Sequence, residues 1–181
     1  MDLFDAISQR YSYRGAYKQE PVPRGDLRKI MEAGLAAPSG CNKQTTSLVG
    51  VDDETMLNNI WAALGRLNED WWQSPQPSRR NAKAAVVVLT QKLIGHGSTT
   101  YYMQDYAAAI ENMLLSITAL GYASCWIEGE VTSDPRKQAK LAELLKVPEG
   151  YHVVAVLPVG VAEAAGKRPR YKPFDERAWF I

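Results

Sequence analysis

The fold is decided by one stretch, residues 101–120, which reads YYMQDYAAAIENMLLSITAL. Most of its large apolar side chains recur at helical spacing on one face, while Ala107, Ala108 and Leu115 lie on other faces. A helix that is apolar on nearly every side is buried in the middle of a structure. We therefore expect a long central helix from Tyr101 to Leu120, with other elements packed around it.

Strands and helices alternate on both sides of this helix. Runs of β-branched and apolar residues predict strands at Thr46–Val51, Ala84–Thr90, Tyr122–Ile127 and Tyr151–Val159. Helical spacing and capping residues predict helices at Asp2–Gln9, from Asp26 to the turn at Pro38, from Asp52 or Asp53 to Leu64, and from about Asp134 to Leu145. This order predicts a layered α/β or α+β fold in one domain, residues 1–181.

Composition limits the function classes. The 181 residues are 46% hydrophobic and 23% charged, which is typical of a globular domain and excludes a disordered or collagen-like chain. The formal net charge of +1 gives no overall attraction to nucleic acid or to an anionic membrane. The longest uncharged apolar segment, Asn112–Ile127, is too short for a membrane span. With Cys41 and Cys125 isolated in apolar surroundings, we expect a cytoplasmic protein with reduced thiols.

In two segments the apolar residues follow neither helical nor strand spacing. Arg66–Lys83 contains Trp71 and Trp72 between prolines and mixed charges, and a loop of this length is either a lid or a disordered insertion. The tail Ala162–Ile181 is basic and ends on Trp179-Phe180-Ile181. Such an apolar terminus either docks onto another subunit or closes its own domain, and the sequence favours neither.

The first candidate site is Arg10-Tyr11-Ser12-Tyr13-Arg14. In an extended chain, residues two apart share a face, so Arg10, Ser12 and Arg14 would point together and away from the tyrosines. Two guanidinium groups and a hydroxyl form a site for a phosphate or another compact anion, since Arg supplies paired donors in a fixed geometry. The alternative is a solvated polar edge strand.

The second candidate site is the turn that separates a helix from a strand at Ala37-Pro38-Ser39-Gly40-Cys41-Asn42-Lys43-Gln44. The side-chain amides of Asn42 and Gln44 could bind the carbonyls and nitrogens of a heteroaromatic ring. Turn formation alone also explains Pro38, Ser39 and Gly40.

Other motifs fail on their spacing. Gly95–Thr100 lacks the third glycine of a dinucleotide fingerprint, and Gly160–Lys167 has one residue too many for a phosphate loop. His96 and His152 are isolated, so we expect no metal site. A further possibility is that Cys41 acts as a nucleophile with one of these histidines as its base, but no motif in the sequence brings the two together.

Taken in order, the motifs resemble the FMN-dependent nitroreductase family. Arg10–Arg14 is similar to its R-x-S-x-R signature, and Ala37–Gln44 is similar to its A-P-S-x-x-N-x-Q segment. Asp105–Gly129 resembles its long central helix, the following strand and an E-G turn. Leu157–Gly160 and the basic tail resemble its last strand and phosphate-contacting end. One departure is Thr45-Thr46, where many members have Pro-Trp after the last motif residue.

The resemblance implies an α+β fold with a central mixed or antiparallel sheet flanked by helices, in an intertwined homodimer. It implies one FMN in each of two interface sites, with the long helix buried by the partner. On this basis residues 1–181 form a single FMN-binding domain, 66–83 form a lid loop and 162–181 form a dimer-docking tail.

The resemblance also implies roles for individual residues. Arg10 and Ser12, with Tyr11 between them, would hold the FMN phosphate together with Arg170 and Lys172. Arg14 would lie near the N1–C2=O edge of the flavin, where its charge stabilises the reduced ring. The further contacts that the family implies are Pro38, Ser39, Asn42 and Gln44 from the partner subunit, and the backbone of Glu128 and Gly129 facing N5.

The activity that the resemblance implies is reduction of electron-poor acceptors, such as nitroaromatics or quinones, by NADH or NADPH. Hydride would pass through N5 of FMN in a ping-pong cycle, so no side-chain nucleophile is required. One alternative is a flavin-binding or flavin-handling protein without efficient NAD(P)H turnover. Another is an α/β domain with no cofactor, in which the arginines are merely solvated.

Overall fold

A three-stranded antiparallel sheet divides the molecule into two helical layers. The computed structural model describes residues 1–65, 81–166 and 171–181. The strands lie in the order β1–β2–β3 and span Thr46–Val51, Ala84–Gln91 and Tyr151–Val159. The helices are α1 Leu3–Gln9, α2 Arg24–Leu35, α3 Glu54–Leu64, α4 Tyr102–Ala119, α5 Gly129–Thr132 and α6 Pro135–Leu144. Short 3₁₀ turns cover Gly40–Asn42 and Phe174–Glu176.

Strand β2 is buried on both faces, as its apolar sequence predicts. Successive side chains of a strand point to opposite faces, so Val86 and Val88 pack with α2 and α4 while Val87 and Leu89 pack with α3 and α6. Val87 pairs with Val49 of β1 and with Val156 of β3. The sheet thus supplies both hydrophobic cores.

Helix α4 is the central element of the first core. Its buried apolar residues include Ile110, Met113 and Ile117, each at most 1% exposed. The helix packs against α2, β2 and also α1, which precedes the first candidate site. None of the helices in the described parts of the chain is long and apolar enough to cross a membrane.

Two capped helices flank the second core as predicted. The carboxylate of Asp53 accepts the N–H of Met56 at 2.7 Å, so Asp53 is the cap of α3 and Asp52 is not. Asp134 caps α6 by accepting the N–H of Arg136 at 2.9 Å, and Pro135 follows at the first helical position.

The second helix starts earlier than the sequence pattern predicts. Helix α2 begins at Arg24, directly after Pro23, and Asp26 lies in its first turn. Proline is tolerated before a helix because the first N–H groups have no intrahelical acceptor. Pro23 therefore occupies the cap position, and the helix begins two residues before the predicted start at Asp26.

The predicted strand at Tyr122–Ile127 is not a regular strand. It forms isolated bridges only, from Ala123 to Gly160 and from Ile127 to Val156. Between the bridges the carbonyl of Ser124 accepts the N–H of Tyr13 at 2.8 Å. The segment is shared between the N-terminal residues and β3, so it does not pair continuously with one neighbour.

The described end of the tail does not close its own domain. Residues 171–181 are mostly exposed, and Trp179, Phe180 and Ile181 are exposed by 76%, 91% and 119%. This apolar end is therefore not buried by the described part of its own chain, whereas Glu163 and Gly166 at the start of the tail bind Tyr13 and Tyr11. Docking onto a second subunit stays a prediction.

Candidate functional site

The N-terminal segment after α1 is irregular and held by its tyrosines. Tyr13 and Tyr17 are 3% and 1% exposed, and their rings meet edge to face with centroids 5.1 Å apart. The side chain of Asn81 binds the backbone of Tyr17 twice, accepting its N–H at 2.9 Å and donating to its carbonyl at 2.8 Å. The segment therefore turns Tyr13 and Tyr17 inward and leaves Arg14 exposed.

Tyrosine hydroxyl groups connect this segment to the start of the tail. The hydroxyl of Tyr13 accepts the N–H of Glu163 at 3.2 Å and donates to the carbonyl of Ala16. The hydroxyl of Tyr11 accepts the N–H of Gly166 at 3.1 Å. The first candidate site is therefore built from both ends of the chain.

Two cavities lie beside this segment. The larger, about 300 Å³, is lined by Ser12 and Arg14 and by residues 163–166 of the tail. The smaller, about 120 Å³, is lined by Arg10 and by residues of α4 and of the 121–124 segment. Tyr11 lines both cavities. The structure therefore brings Ser12 and Arg14 together but places Arg10 at a neighbouring cavity, because the backbone is not a flat strand.

The guanidinium of Arg10 forms an ion pair with α4. Its Nε lies 3.3 Å from Oε1 of Glu111, and the two side chains are 22% and 50% exposed. Only the Nε position of the guanidinium is used in this pair, and an Arg presents five N–H donors in all. Glu111 was not singled out by the sequence, because its partner Arg10 lies in a distant part of the chain and no motif links the two.

The second candidate site is a tight loop closed by its own side chains. The hydroxyl of Ser39 accepts the N–H of Gln44 at 2.9 Å, and the amide of Gln44 donates to that of Asn42 at 3.2 Å. Cys41, Asn42 and Gln44 have left-handed φ angles of +53°, +53° and +50°. Pro38 and these three residues are exposed, so the loop presents the predicted polar groups at the surface.

A buried carboxylate fastens this loop to α4. Asp105 is 4% exposed, and its two oxygens accept the N–H of Gly40 at 2.8 Å and the hydroxyl of Thr45 at 2.7 Å. Gly40 lies so close to Tyr101 that a Cβ there would be 2.5 Å from the tyrosine ring. Sequence reasoning missed Asp105, although an aspartate in a helix apolar on nearly every side is a signal that could have found it.

The next residue of α4 holds the Glu128-Gly129 turn. The hydroxyl of Tyr106 donates to Oε1 of Glu128 at 2.7 Å, and its ring meets that of Trp126 edge to face. Burial of the ring, and then the nearby Glu128 carboxylate, raise the pKa of the Tyr106 hydroxyl well above its ordinary value of 10.0. A Cβ at Gly129 would meet nothing within 4 Å, so the turn has open space in front of it.

Two predicted features lie outside the described residues wholly or in part. Arg170 is not described, whereas Lys172 is described and exposed. Of the predicted lid, 66–80 is not described, and Trp71 and Trp72 fall within it. The end of that segment packs on the core, since Ala82 is 3% exposed. In the described parts of the chain, no group of three or more His, Cys, Asp or Glu residues could hold a metal ion.

Comparison with known proteins gives consistent matches. The model of the nitroreductase family matches residues 7–161. A protein of Archaeoglobus fulgidus that bears the name NADH dehydrogenase/NAD(P)H nitroreductase is 32% identical over 156 residues, which cover 85% of this chain and 82% of that protein.

Two solved structures are similar over the whole chain. A BluB-like flavoprotein from Clostridium difficile 630 gives a TM-score of 0.84 at 26% identity, covering 100% of this chain and 99% of the other. A nitroreductase with bound FMN from Bacteroides fragilis gives a TM-score of 0.78 at 28% identity, with the same coverage. These matches confirm the predicted α+β fold with its antiparallel sheet.

The raised pKa of Tyr106 predicts a loss of stability in alkali. Above pH 10.0 the unfolded chain gives up the Tyr106 proton while the folded chain keeps it, so the free energy of unfolding falls as the pH rises. The Tyr106→Phe variant lacks this proton and should show a shallower decline in urea unfolding between about pH 9 and 11. The exposed residue Tyr171 provides the control, since Tyr171→Phe should follow the wild type. Equal slopes for Tyr106→Phe and the wild type would contradict the assignment.

Proposed function

The chain belongs to the nitroreductase family, and from this premise we propose that it is an FMN-dependent NAD(P)H oxidoreductase that reduces electron-poor acceptors such as nitroaromatics or quinones. The resemblance predicted from the motifs is confirmed by the match over residues 7–161. FMN as cofactor is supported by the similar nitroreductase with bound FMN, and a nicotinamide donor by the name of the Archaeoglobus protein. The observation that carries the proposal is the family match together with an arginine- and serine-lined cavity at the matching motif.

The residues around the two cavities fit the phosphate end of FMN. Arg10, Ser12 and Arg14 offer two cations and a hydroxyl within five residues, and the tail segment that faces Ser12 and Arg14 has only small side chains at 164–166. We assign Arg10 and Ser12, with Tyr11 between them, to the phosphate, and Arg170 and Lys172 as further cations. Charge-assisted hydrogen bonds of this kind are the strongest that a protein can offer a phosphate.

The remaining assignments concern the flavin ring. Arg14 places positive charge beside the N1–C2=O edge, where reduction increases negative charge. The backbone of Glu128 and Gly129 would contact N5, and the open space at Gly129, where a Cβ would meet nothing within 4 Å, leaves room for a ring. Pro38, Ser39, Asn42 and Gln44 of a second copy would contact the ring and the ribityl chain, because all four lie on the closed loop described above.

FMN, when bound, accepts a hydride at N5 and passes it on, which is the chemistry that the side chains do not supply. The protein then has to bind the flavin, fix its orientation and leave one face open to the donor and then to the acceptor in turn. In this ping-pong cycle the donor and the acceptor would use the same face of the flavin in turn, so the protein needs no side-chain nucleophile.

We propose that the active form is a homodimer. The apolar side chains of Leu3 and Phe4 on α1 are exposed by 61% and 80%, and those of Trp179 and Phe180 by 76% and 91%. Within each of these two pairs the side chains are adjacent in sequence, and large apolar side chains exposed side by side are typical of a surface that another chain covers. A dimer would also bring the Pro38–Gln44 loop of one copy to the flavin of the other.

Deletion of residues 179–181 should weaken the dimer. Burial of a large apolar side chain stabilises an interface by about 1.5–3 kcal/mol, so the loss of three should raise the dimer dissociation constant by at least about tenfold. Sedimentation equilibrium measures this constant, and Glu176→Ala, at an exposed polar position nearby, should leave it unchanged. A wild-type chain that sediments as a monomer at micromolar concentration would sink the dimer proposal.

One alternative is a flavin-handling protein without efficient NAD(P)H turnover. The observation behind it is that the similar structure with a TM-score of 0.84 bears the name BluB-like flavoprotein, which specifies a flavin but no NAD(P)H reaction. The two functions share the same cofactor site and differ in what the reduced flavin does.

A visible spectrum followed by a turnover assay separates these functions. After incubation with FMN and removal of excess, the protein should show flavin absorption bands and release FMN on denaturation. NADH or NADPH should then be consumed steadily once a quinone is added. Flavin bands without steady consumption would favour the flavin-handling protein. A protein that stays colourless would refute both, and the arginines would then be ordinary surface residues.

Arg10→Ala should weaken FMN binding by about 1.5–3 kcal/mol, which is about ten- to more than a hundredfold in Kd, because a hydrogen bond to a charged group is lost. Flavin fluorescence quenching gives the Kd. Arg28→Ala is the control, since Arg28 is exposed and binds only Glu32 on its own helix among the contacts of the described chain. If a folded Arg10→Ala protein binds FMN as tightly as the wild type, Arg10 does not belong to the site.

A further inference from the structure

Both oxygens of the buried Asp105 carboxylate accept hydrogen bonds from the same loop. Its Oδ1 accepts the N–H of Gly40 and its Oδ2 accepts the hydroxyl of Thr45. These two donors stand at the two ends of the segment that contains Cys41, Asn42 and Gln44. Asp105 lies in the first turn of α4, where the positive end of the helix dipole favours a negative charge.

The segment between these donors needs an external restraint. Three of its non-glycine residues have left-handed φ angles, which side chains adopt at a cost unless the surroundings fix them. Its internal bonds, from Gln44 N–H to Ser39 Oγ and from the Gln44 amide to Asn42, are on the exposed side. Among the described residues, the two hydrogen bonds that tie the ends of this segment to a buried side chain both go to Asp105.

We propose that Asp105 is a positioning residue for flavin binding: by clamping Gly40 and Thr45 it holds the Ser39–Gln44 loop in the one shape that presents Ser39, Asn42 and Gln44 to the flavin. The inference rests on the proposed function, in which this loop contacts FMN. Asp105 does not itself touch the cofactor. A loop that is ordered beforehand loses less conformational freedom on binding, so the clamp increases the affinity for FMN.

A purely structural role for Asp105 makes a different prediction. In that case loss of the carboxylate would lower the melting temperature and leave the FMN affinity of the folded protein unchanged. The affinity for FMN at matched stability is therefore the readout that distinguishes positioning from stabilisation.

Asn112 gives a matched control on the same helix. Its side-chain amide donates to the carbonyl of Ala33 at 3.1 Å, so it also binds α4 to another segment, but this segment is α2 and not the loop. Asn112→Ala should destabilise the fold with less than about a twofold change in the FMN dissociation constant.

Asp105→Ala should raise the FMN dissociation constant by about tenfold, because several loop side chains must then be ordered when FMN binds. Thr45→Val, which removes one of the two bonds and keeps the charge, should have a smaller effect in the same direction. Asp105→Asn should bind FMN better than Asp105→Ala, since the amide oxygen can still accept the N–H of Gly40. If Asp105→Ala does not fold, the FMN affinities of Asp105→Asn and Thr45→Val still test the proposal.

The experiment combines two measurements on the full chain of each variant. Fluorescence titration gives the FMN dissociation constant, and amide hydrogen exchange gives the protection of residues 40–45 without FMN. The proposal expects weaker binding and faster exchange of the loop in the Asp105 variants, but neither in Asn112→Ala. Unchanged loop exchange, or equal FMN affinity in folded Asp105 variants and Asn112→Ala, would overturn it. A wild type that binds no FMN refutes the proposed function instead, while the exchange data still report whether Asp105 orders the loop.

Discussion

The positions of the Ser39–Gln44 loop and of the Glu128-Gly129 turn depend on one requirement, that a polar group buried in an apolar helix must find partners. Successive residues of an α-helix point about 100° apart, so Asp105 and Tyr106 of α4 reach different parts of the chain. Asp105 binds the loop before β1, and Tyr106 binds Glu128 ahead of α5. One helix turn, fixed by the packing of α4 in the core, therefore sets the positions of two segments that are distant in sequence.

The layered fold could be predicted because its signals are local. The burial of Ala84–Gln91 on both faces follows from its continuous apolar run, and the caps of α3 and α6 follow from Asp53 and Asp134. The strand expected at Tyr122–Ile127 failed for the opposite reason. Its composition favours a strand, but its backbone partners, Tyr13, Gly160 and Val156, come from other parts of the chain, and no local pattern specifies such shared pairing.

The candidate site could be predicted in part. Motif spacing identified Ser12 and Arg14, which line one cavity, and Ser39, Asn42 and Gln44, which share one loop. It did not identify Asp105 or Glu111, because side chains that act through contacts between distant segments leave no spacing of their own. The convergence of Arg10 with Ser12 was predicted for an ideal strand, whereas residues 10–14 form no strand and Arg10 lines a different cavity from Ser12.

The left-handed loop also makes one of the two cysteines accessible to reagents in solution. Cys125 is 1% exposed within the second core, whereas Cys41 is exposed at the tip of the loop. A maleimide dye would therefore attach to the native protein at Cys41, at a stoichiometry of about one per chain, because thiol reagents require access. Cys41 is thus a built-in labelling position on the segment that is assigned to the flavin of a neighbouring copy. The emission of a dye at Cys41 would report assembly, and no cysteine would have to be introduced.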